Sequence, residues 1–112
     1  MHYFKRALVS ALTVMLMVLS FNTAFGQDGK ALFQTNCAQC HAVNGVVIGP
    51  ALKDIEKRRP EAWLLKWVKN SQAMVKSGDA YAVEIFNKYN KTVMTSFSLK
   101  DEEINAIFAY VK

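Results

Sequence analysis

The pentapeptide Cys37-Ala38-Gln39-Cys40-His41 constrains this 112-residue chain more than any other feature. Two cysteines separated by two residues and followed directly by a histidine are typical of a covalent attachment site for a c-type haem. Each thiol can form a thioether with one haem vinyl group, and His41 can then offer an imidazole nitrogen to the iron. The motif therefore predicts a domain built around one covalent haem c, bound through Cys37 and Cys40.

The first 26 residues have the pattern of a secretory signal peptide. Lys5 and Arg6 form a positively charged start, and residues 7–21 carry no charge. In Ala24-Phe25-Gly26, small residues occupy the positions that signal peptidase recognises. We predict cleavage after Gly26 and a periplasmic or otherwise exported protein. The alternative is an uncleaved membrane anchor, although the apolar run is shorter than the roughly 20 residues that a spanning helix needs.

Residues 27–112 form the predicted haem domain. Its 12 basic and 9 acidic residues give a net charge of +3. It lacks a basic stripe with interleaved aromatic residues, so we do not expect a nucleic-acid partner. A domain of this size buries a modest core, and a covalently held haem would supply apolar surface for packing. We expect a monomer.

Apolar residues at helical spacing predict an all-α fold of about four helices around the haem. The predicted helices cover residues 28–40, a segment starting near 59–60, residues 79–89 and residues 98–112, with links at 71–78 and 90–97. Asp28 is a candidate N-cap of the first helix, and Pro60 suits the first turn of the second. Val46-Val47-Ile48 is interpreted as a loop rather than a strand, because Gly49-Pro50 follows it.

The last helix has the clearest pattern. Ser98 and Asp101 have the spacing of a capping box, and three acidic residues load the first turn with negative charge. An apolar stripe follows, made of Ile104, Ile107, Phe108 and Val111.

A sixth iron ligand would have to come from a methionine, because His41 is the single histidine that remains after cleavage. His/Met ligation stabilises ferrous iron and raises the reduction potential. Met94 is favoured because it lies in a predicted loop that can turn a long side chain inward. Met74, near the end of the second helix, and an open position are the alternatives. Either methionine could instead be a core filler.

These features together resemble a class I bacterial cytochrome c, and the resemblance covers essentially the whole of residues 27–112. It rests on the pentapeptide 37–41, the Gly49-Pro50-Ala51-Leu52 loop, a methionine at 94, and the C-terminal helix behind it. The resemblance implies a one-electron carrier, not an enzyme, that exchanges electrons with a redox protein donor and acceptor. In this family a proline often follows the ligand methionine, whereas Thr95 follows it here, which removes a fixed φ angle.

The resemblance also implies roles for residues outside the pentapeptide. Gly29 and Phe33 on the first helix would pack against Ile107 and Tyr110 on the last. The Pro50 carbonyl would accept a hydrogen bond from the His41 imidazole, which would fix the ring and increase its basicity as a ligand.

Other interpretations of the two cysteines are weaker. A redox dithiol would need a βαβ pattern around the motif, a structural zinc site would need four ligands, and a disulfide would close a very short loop. A small haem sensor or peroxidase with an open or labile sixth position is the main rival function, and the haem subunit of a larger oxidoreductase is another. The basic run Lys57-Arg58-Arg59 is either a site that steers an acidic partner or a solvated turn.

Overall fold

The computed structural model describes residues 3, 5, 6 and 28–112. Within residues 28–112 there are four α-helices and no strand: α1 (Gly29–Asn36), α2 (Glu61–Lys76), α3 (Ala80–Lys88) and α4 (Asp101–Tyr110), with a 3₁₀ helix (Ile55–Lys57) between α1 and α2. The prediction of an all-α fold with about four helices is confirmed. Of the described helices, none combines the length and the apolar character required to cross a bilayer. The predicted cleavage position after Gly26 and nearly all of the signal peptide lie outside the described residues.

Helix α1 begins where the sequence predicts and ends earlier. The Asp28 carboxylate accepts a hydrogen bond from the Ala31 N–H at 3.1 Å, which caps one of the free donors of the first turn. The helix ends at Asn36 rather than at Cys40, and Asn36 Nδ2 donates to the Leu32 carbonyl at 2.9 Å. Residues 37–40 form turns instead.

Helix α2 corrects the predicted link at 71–78. The backbone leaves helical geometry at Asn70 (φ −162°, ψ 82°), but the helix resumes and runs to Lys76. Asn70 Oδ1 accepts a hydrogen bond from the Ala73 N–H at 3.0 Å and so caps the second half of the helix from within. Gly78 adopts a φ of 79°, a conformation that glycine tolerates, and the chain turns there into α3.

Helix α4 begins at Asp101, so the prediction of Ser98 as its cap is wrong. Glu103 Oε2 accepts a hydrogen bond from the Lys100 N–H at 2.8 Å, which makes Lys100 the last non-helical residue. Leu99 is half-buried and packs against the cluster that contains Ile104, an apolar contact that spans the start of the helix. Lys100 has extended backbone angles (φ −72°, ψ 157°), so the helix starts only after it.

The core lies along the apolar stripe of α4, whose four members are at most 4% exposed: Ile104, Ile107, Phe108 and Val111. On one side Ile107 and Val111 pack with Phe33 of α1. On the other side Ile104 and Phe108 pack with Leu64 of α2. The ring centroids of Phe33 and Tyr110 lie 5.5 Å apart. Helix α4 therefore joins α1 to α2.

Gly29 permits the crossing of α1 and α4. A Cβ at this position would overlap the Ala106 carbonyl oxygen of α4 and lie 2.6 Å from the carbonyl carbon. Since both atoms belong to the backbone, no side-chain rotation could relieve the overlap. The two helix backbones can approach this closely only with glycine at position 29.

We expect Gly29→Ala to lower the free energy of unfolding by about 1–3 kcal/mol, because the overlap forces the helices apart. Helix propensity alone would make Gly29→Ala stabilising, since alanine is intrinsically the better helix former, so a loss of stability would point to the overlap. Denaturant unfolding followed by circular dichroism measures the effect. Gly45→Ala is the matched control, because a Cβ there would meet nothing within 4 Å. A Gly29→Ala protein as stable as the unaltered one would contradict the crossing geometry.

Candidate functional site

The Cys37–His41 segment leaves α1 as a tight turn. The Cys37 N–H donates to the Phe33 carbonyl at 2.8 Å, and the His41 N–H donates to the Cys37 carbonyl at 2.9 Å. Cys37 is half-buried against the α1–α4 core, whereas Cys40 is exposed, and both thiols are free. The turn places the two sulfur-bearing side chains and His41 around one cavity.

The environment of Cys37 differs from that of a redox-active cysteine. Burial raises the pKa of the Cys37 thiol from its ordinary value of 9.0 to about 11. Reactive cysteines of C-x-x-C redox motifs have a lowered pKa, because the thiolate is the nucleophile. The structure therefore gives no support to the redox-dithiol interpretation.

His41 is fixed by the loop that follows it. Its Nδ1 lies 2.8 Å from the Pro50 carbonyl oxygen. Since a carbonyl oxygen can only accept, Nδ1 carries the hydrogen, and in the neutral ring Nε2 has a free lone pair. The structure thus brings His41 and Pro50 together.

Glycine at position 49 leaves room for the His41 ring. A Cβ on Gly49 would lie 2.9 Å from His41 Nδ1 and 3.0 Å from Nε2. The Gly49 N–H donates to the Cys40 carbonyl at 2.8 Å, which ties the loop to the turn. The loop therefore packs directly on the imidazole.

The cavity beside this turn has a volume of about 300 Å³, within the usual range of ligand sites. Its wall is mainly apolar and includes residues of all four helices and of the segments between them. Met94 is half-buried and lines it, whereas Met74 is not among the lining residues. Cys37, Cys40, His41 and Pro50 line it as well. The cavity is where the predicted site residues meet.

An aromatic cluster forms one wall. Trp63 and Trp67 stack with their centroids 5.2 Å apart, and Tyr81 meets Trp63 edge-on at 5.3 Å. The Trp63 indole N–H donates to Asp79 Oδ2 at 3.2 Å, so this indole bonds a side chain of the protein itself. No sequence pattern connects Asp79 with Trp63, because Trp63 lies on α2 and Asp79 caps α3.

Two buried donors line the same cavity. Arg59 Nε and Gln72 Nε2 have no hydrogen-bond partner among the described residues. The Arg59 guanidinium also lies over the Tyr81 ring, with its carbon 3.7 Å from the ring centroid. Buried donors of this kind are suited to an acceptor such as a carboxylate of a bound molecule. In the sequence Arg59 is visible only as part of a basic run, and no motif indicates Gln72.

The basic run at 57–59 makes contacts within the protein. Lys57 pairs with Asp54 at 3.2 Å. Arg58 donates to the Ala51 and Lys53 carbonyls. With Arg59 over an aromatic ring, each of the three cations has an intramolecular partner, which favours a structural role for the run.

Comparisons with known proteins show what the chain is similar to. The profile of the family described as Cytochrome c matches residues 26–112. Cytochrome c6 of a Picosynechococcus strain is 29% identical over 111 residues, which cover 96% of this chain and 92% of that protein. Cytochrome c-551 of Stutzerimonas stutzeri is 47% identical over 38 residues, which cover 33% of this chain and 36% of that protein. The second match therefore spans only part of that relative.

Solved structures similar to this chain are also cytochromes c. Cytochrome c from Rhodothermus marinus superimposes with a TM-score of 0.68 and 32% identity, over 80% of this chain and 76% of that chain. The cytochrome c domain of the pp3183 protein from Pseudomonas putida superimposes with a TM-score of 0.64 and 30% identity, over 74% of this chain and 83% of that chain.

Asp79 gives the stability of the fold a predictable dependence on pH. Its pKa is lowered from the ordinary value of 3.8, chiefly by the Ala82 N–H and then by the Trp63 indole and the Arg59 charge. The ionised carboxylate therefore stabilises the fold at neutral pH, and this contribution is lost as the pH falls through the lowered pKa. We expect Asp79→Asn to be less stable at pH 7 and to approach the unaltered protein in strong acid. Unfolding curves from pH 7 to pH 2 measure the difference, with Glu84→Gln, an exposed carboxylate on the same helix, as control.

Proposed function

Because the chain belongs to the cytochrome c family, as a small class I cytochrome c, we propose that it is a one-electron carrier with His/Met ligation. Its cofactor is haem c, which this family carries covalently. Cys37 and Cys40 would form the two thioethers. His41 would be one axial ligand and Met94 the other. The convergence of these four side chains on one apolar cavity is the observation that carries the proposal.

The residues present fit such a group. The two thiols lie on one turn at the edge of the cavity, and His41 has Nε2 available for a metal because Nδ1 is bonded to Pro50. Arg59 and Gln72 offer buried donors that suit haem propionates. When bound, the haem supplies a one-electron couple between ferric and ferrous iron.

The protein's own contribution is to orient the ligands and exclude water. The Pro50 carbonyl holds the imidazole in one tautomer and increases its basicity. The apolar wall, with Trp63 and Trp67 stacked in it, would cover the faces of the haem and reduce its contact with water. A thioether ligand in such a setting favours the reduced state, since it is a soft donor to ferrous iron.

We propose Met94 rather than Met74 as the second axial ligand because of where the two side chains lie relative to the cavity. Met94 lines the cavity from the extended segment between α3 and α4, whereas Met74 lies on α2 and is not among the lining residues. Met94 is thus the methionine whose position in the cavity suits it to be the second axial ligand.

A redox protein partner would approach the side where aliphatic residues are exposed. Val46, Val47 and Ile48 are 52–68% exposed, and Val93 is 62% exposed. Ile48 and Val93 also line the cavity, so this surface borders the proposed haem site. We propose further that the chain is exported after removal of residues 1–26 and works as a monomer.

The ligation is tested by comparing two methionine variants of the haem-loaded protein. Met94→Ala is expected to abolish the weak sulfur-to-iron band at the red edge of the oxidised spectrum and to lower the reduction potential, because a soft ligand is lost. Met74→Ala, the matched control, should leave both unchanged. A redox titration with visible spectra measures the two effects. Loss of the band in Met74→Ala alone would refute the assignment.

Carbon monoxide distinguishes a carrier from a sensor or peroxidase. The reduced, unaltered protein should show no spectral change on addition of the gas, because both axial positions are filled. Met94→Ala should bind the gas and serves as the positive control. Rapid, tight binding by the unaltered protein would indicate an open site instead.

A further inference from the structure

Ser71 is the one buried polar residue among those described, and it contacts the segment that bears Met94. Its side chain is on α2, it is 1% exposed, and its hydroxyl donates to the Met94 carbonyl at 3.3 Å. A buried hydroxyl without a partner is unfavourable, so this contact satisfies Ser71 as well as holding Met94. The two residues are 23 positions apart in sequence, so the bond connects separate elements.

The break in α2 supplies a second tie to the same segment. The backbone is non-helical at Asn70, next to Ser71. On the preceding turn the Val68 carbonyl accepts a hydrogen bond from the Phe97 N–H at 3.2 Å. Residues 94 and 97 are therefore both bonded to α2, one on each side of the break.

The Met94 segment has little internal structure of its own. Residues 92–100 form neither helix nor strand, and they include no proline that would fix a backbone angle. The position of Met94 therefore depends on contacts with other elements. The bonds to Ser71 and Val68 are the backbone anchors that the structure shows between this segment and α2.

We propose that Ser71 is a positioning residue for Met94, and that its hydroxyl sets how easily the thioether leaves the iron. This inference rests on the proposed function, since it takes Met94 as the axial ligand. Removing the hydroxyl would free the Met94 backbone without changing the ligand itself. The ligand would then dissociate more readily, and an external ligand could take its place.

Competition with imidazole tests the proposal on the oxidised, haem-loaded protein. Imidazole can bind only where Met94 has left, so its apparent affinity increases with the fraction of protein in which the thioether is detached. The imidazole midpoint is the imidazole concentration at which half of the protein has bound imidazole. We expect Ser71→Ala to lower this midpoint about fivefold to tenfold, the effect of losing one buried hydrogen bond. The sulfur-to-iron band should persist without imidazole.

Ser77→Ala is the matched control. Ser77 directly follows α2, and its hydroxyl donates to the Met74 carbonyl at 2.7 Å, so it also bonds the backbone carbonyl of a methionine, but of the one that does not line the cavity. Its imidazole midpoint should equal that of the unaltered protein. Ser71→Thr, which keeps a hydroxyl, should restore the midpoint, and melting curves of each variant show whether packing has changed.

The outcomes separate this inference from the ligation itself. If the unaltered protein lacks the sulfur-to-iron band, the ligation by Met94 is refuted and this inference with it. If the band is present but Ser71→Ala has the unaltered midpoint, the role of Ser71 alone is refuted. An equal shift in Ser77→Ala would also refute it, because the effect would then not depend on the bond to Met94.

Discussion

The contact between α1 and α4 at Gly29 is the constraint on which the site depends. Because the two backbones meet without an intervening side chain, Phe33 can reach Ile107 and Val111 in the core. The carbonyl of the packed Phe33 accepts hydrogen bonds from the N–H groups of Cys37 and Ala38 at 2.8 and 3.0 Å, so the Cys37–His41 turn starts on a residue held in the core. The positions of both thiols and of the imidazole therefore follow from a helix crossing whose centre lies two turns earlier in the chain.

The two proposed axial ligands are held in different ways. His41 is bonded through its ring to Pro50, through its backbone to Cys37, and is packed by Gly49. Met94 belongs to an extended segment that is bonded to α2 at residues 94 and 97. The structure therefore shows more contacts fixing the proposed imidazole ligand itself than the proposed thioether ligand.

Local patterns were enough to predict some of this structure. The stripe on α4 and the Asp28 cap depend on residues close in sequence, and the pentapeptide indicates its chemistry by spacing alone. The failed predictions have two causes, competition between local caps and contacts between distant residues. The Lys100–Glu103 bond replaces the cap predicted at Ser98, and the capping side chain of Asn70 allows α2 to continue through a segment predicted as a link. The Asp79–Trp63 bond joins two helices, so neither helix pattern indicates it.

The burial of Val111 has a consequence for the order of folding. This residue is fully buried directly after α4, and its carbonyl accepts a hydrogen bond from the Asp54 N–H at 2.9 Å. Helix α1 likewise needs α4 as a partner. Because α1 and α4 lie far apart in sequence, their packing must close a long loop before either apolar face is buried. Such non-local closure slows folding, and the Cys37–His41 turn can take its final position only when α4 has packed.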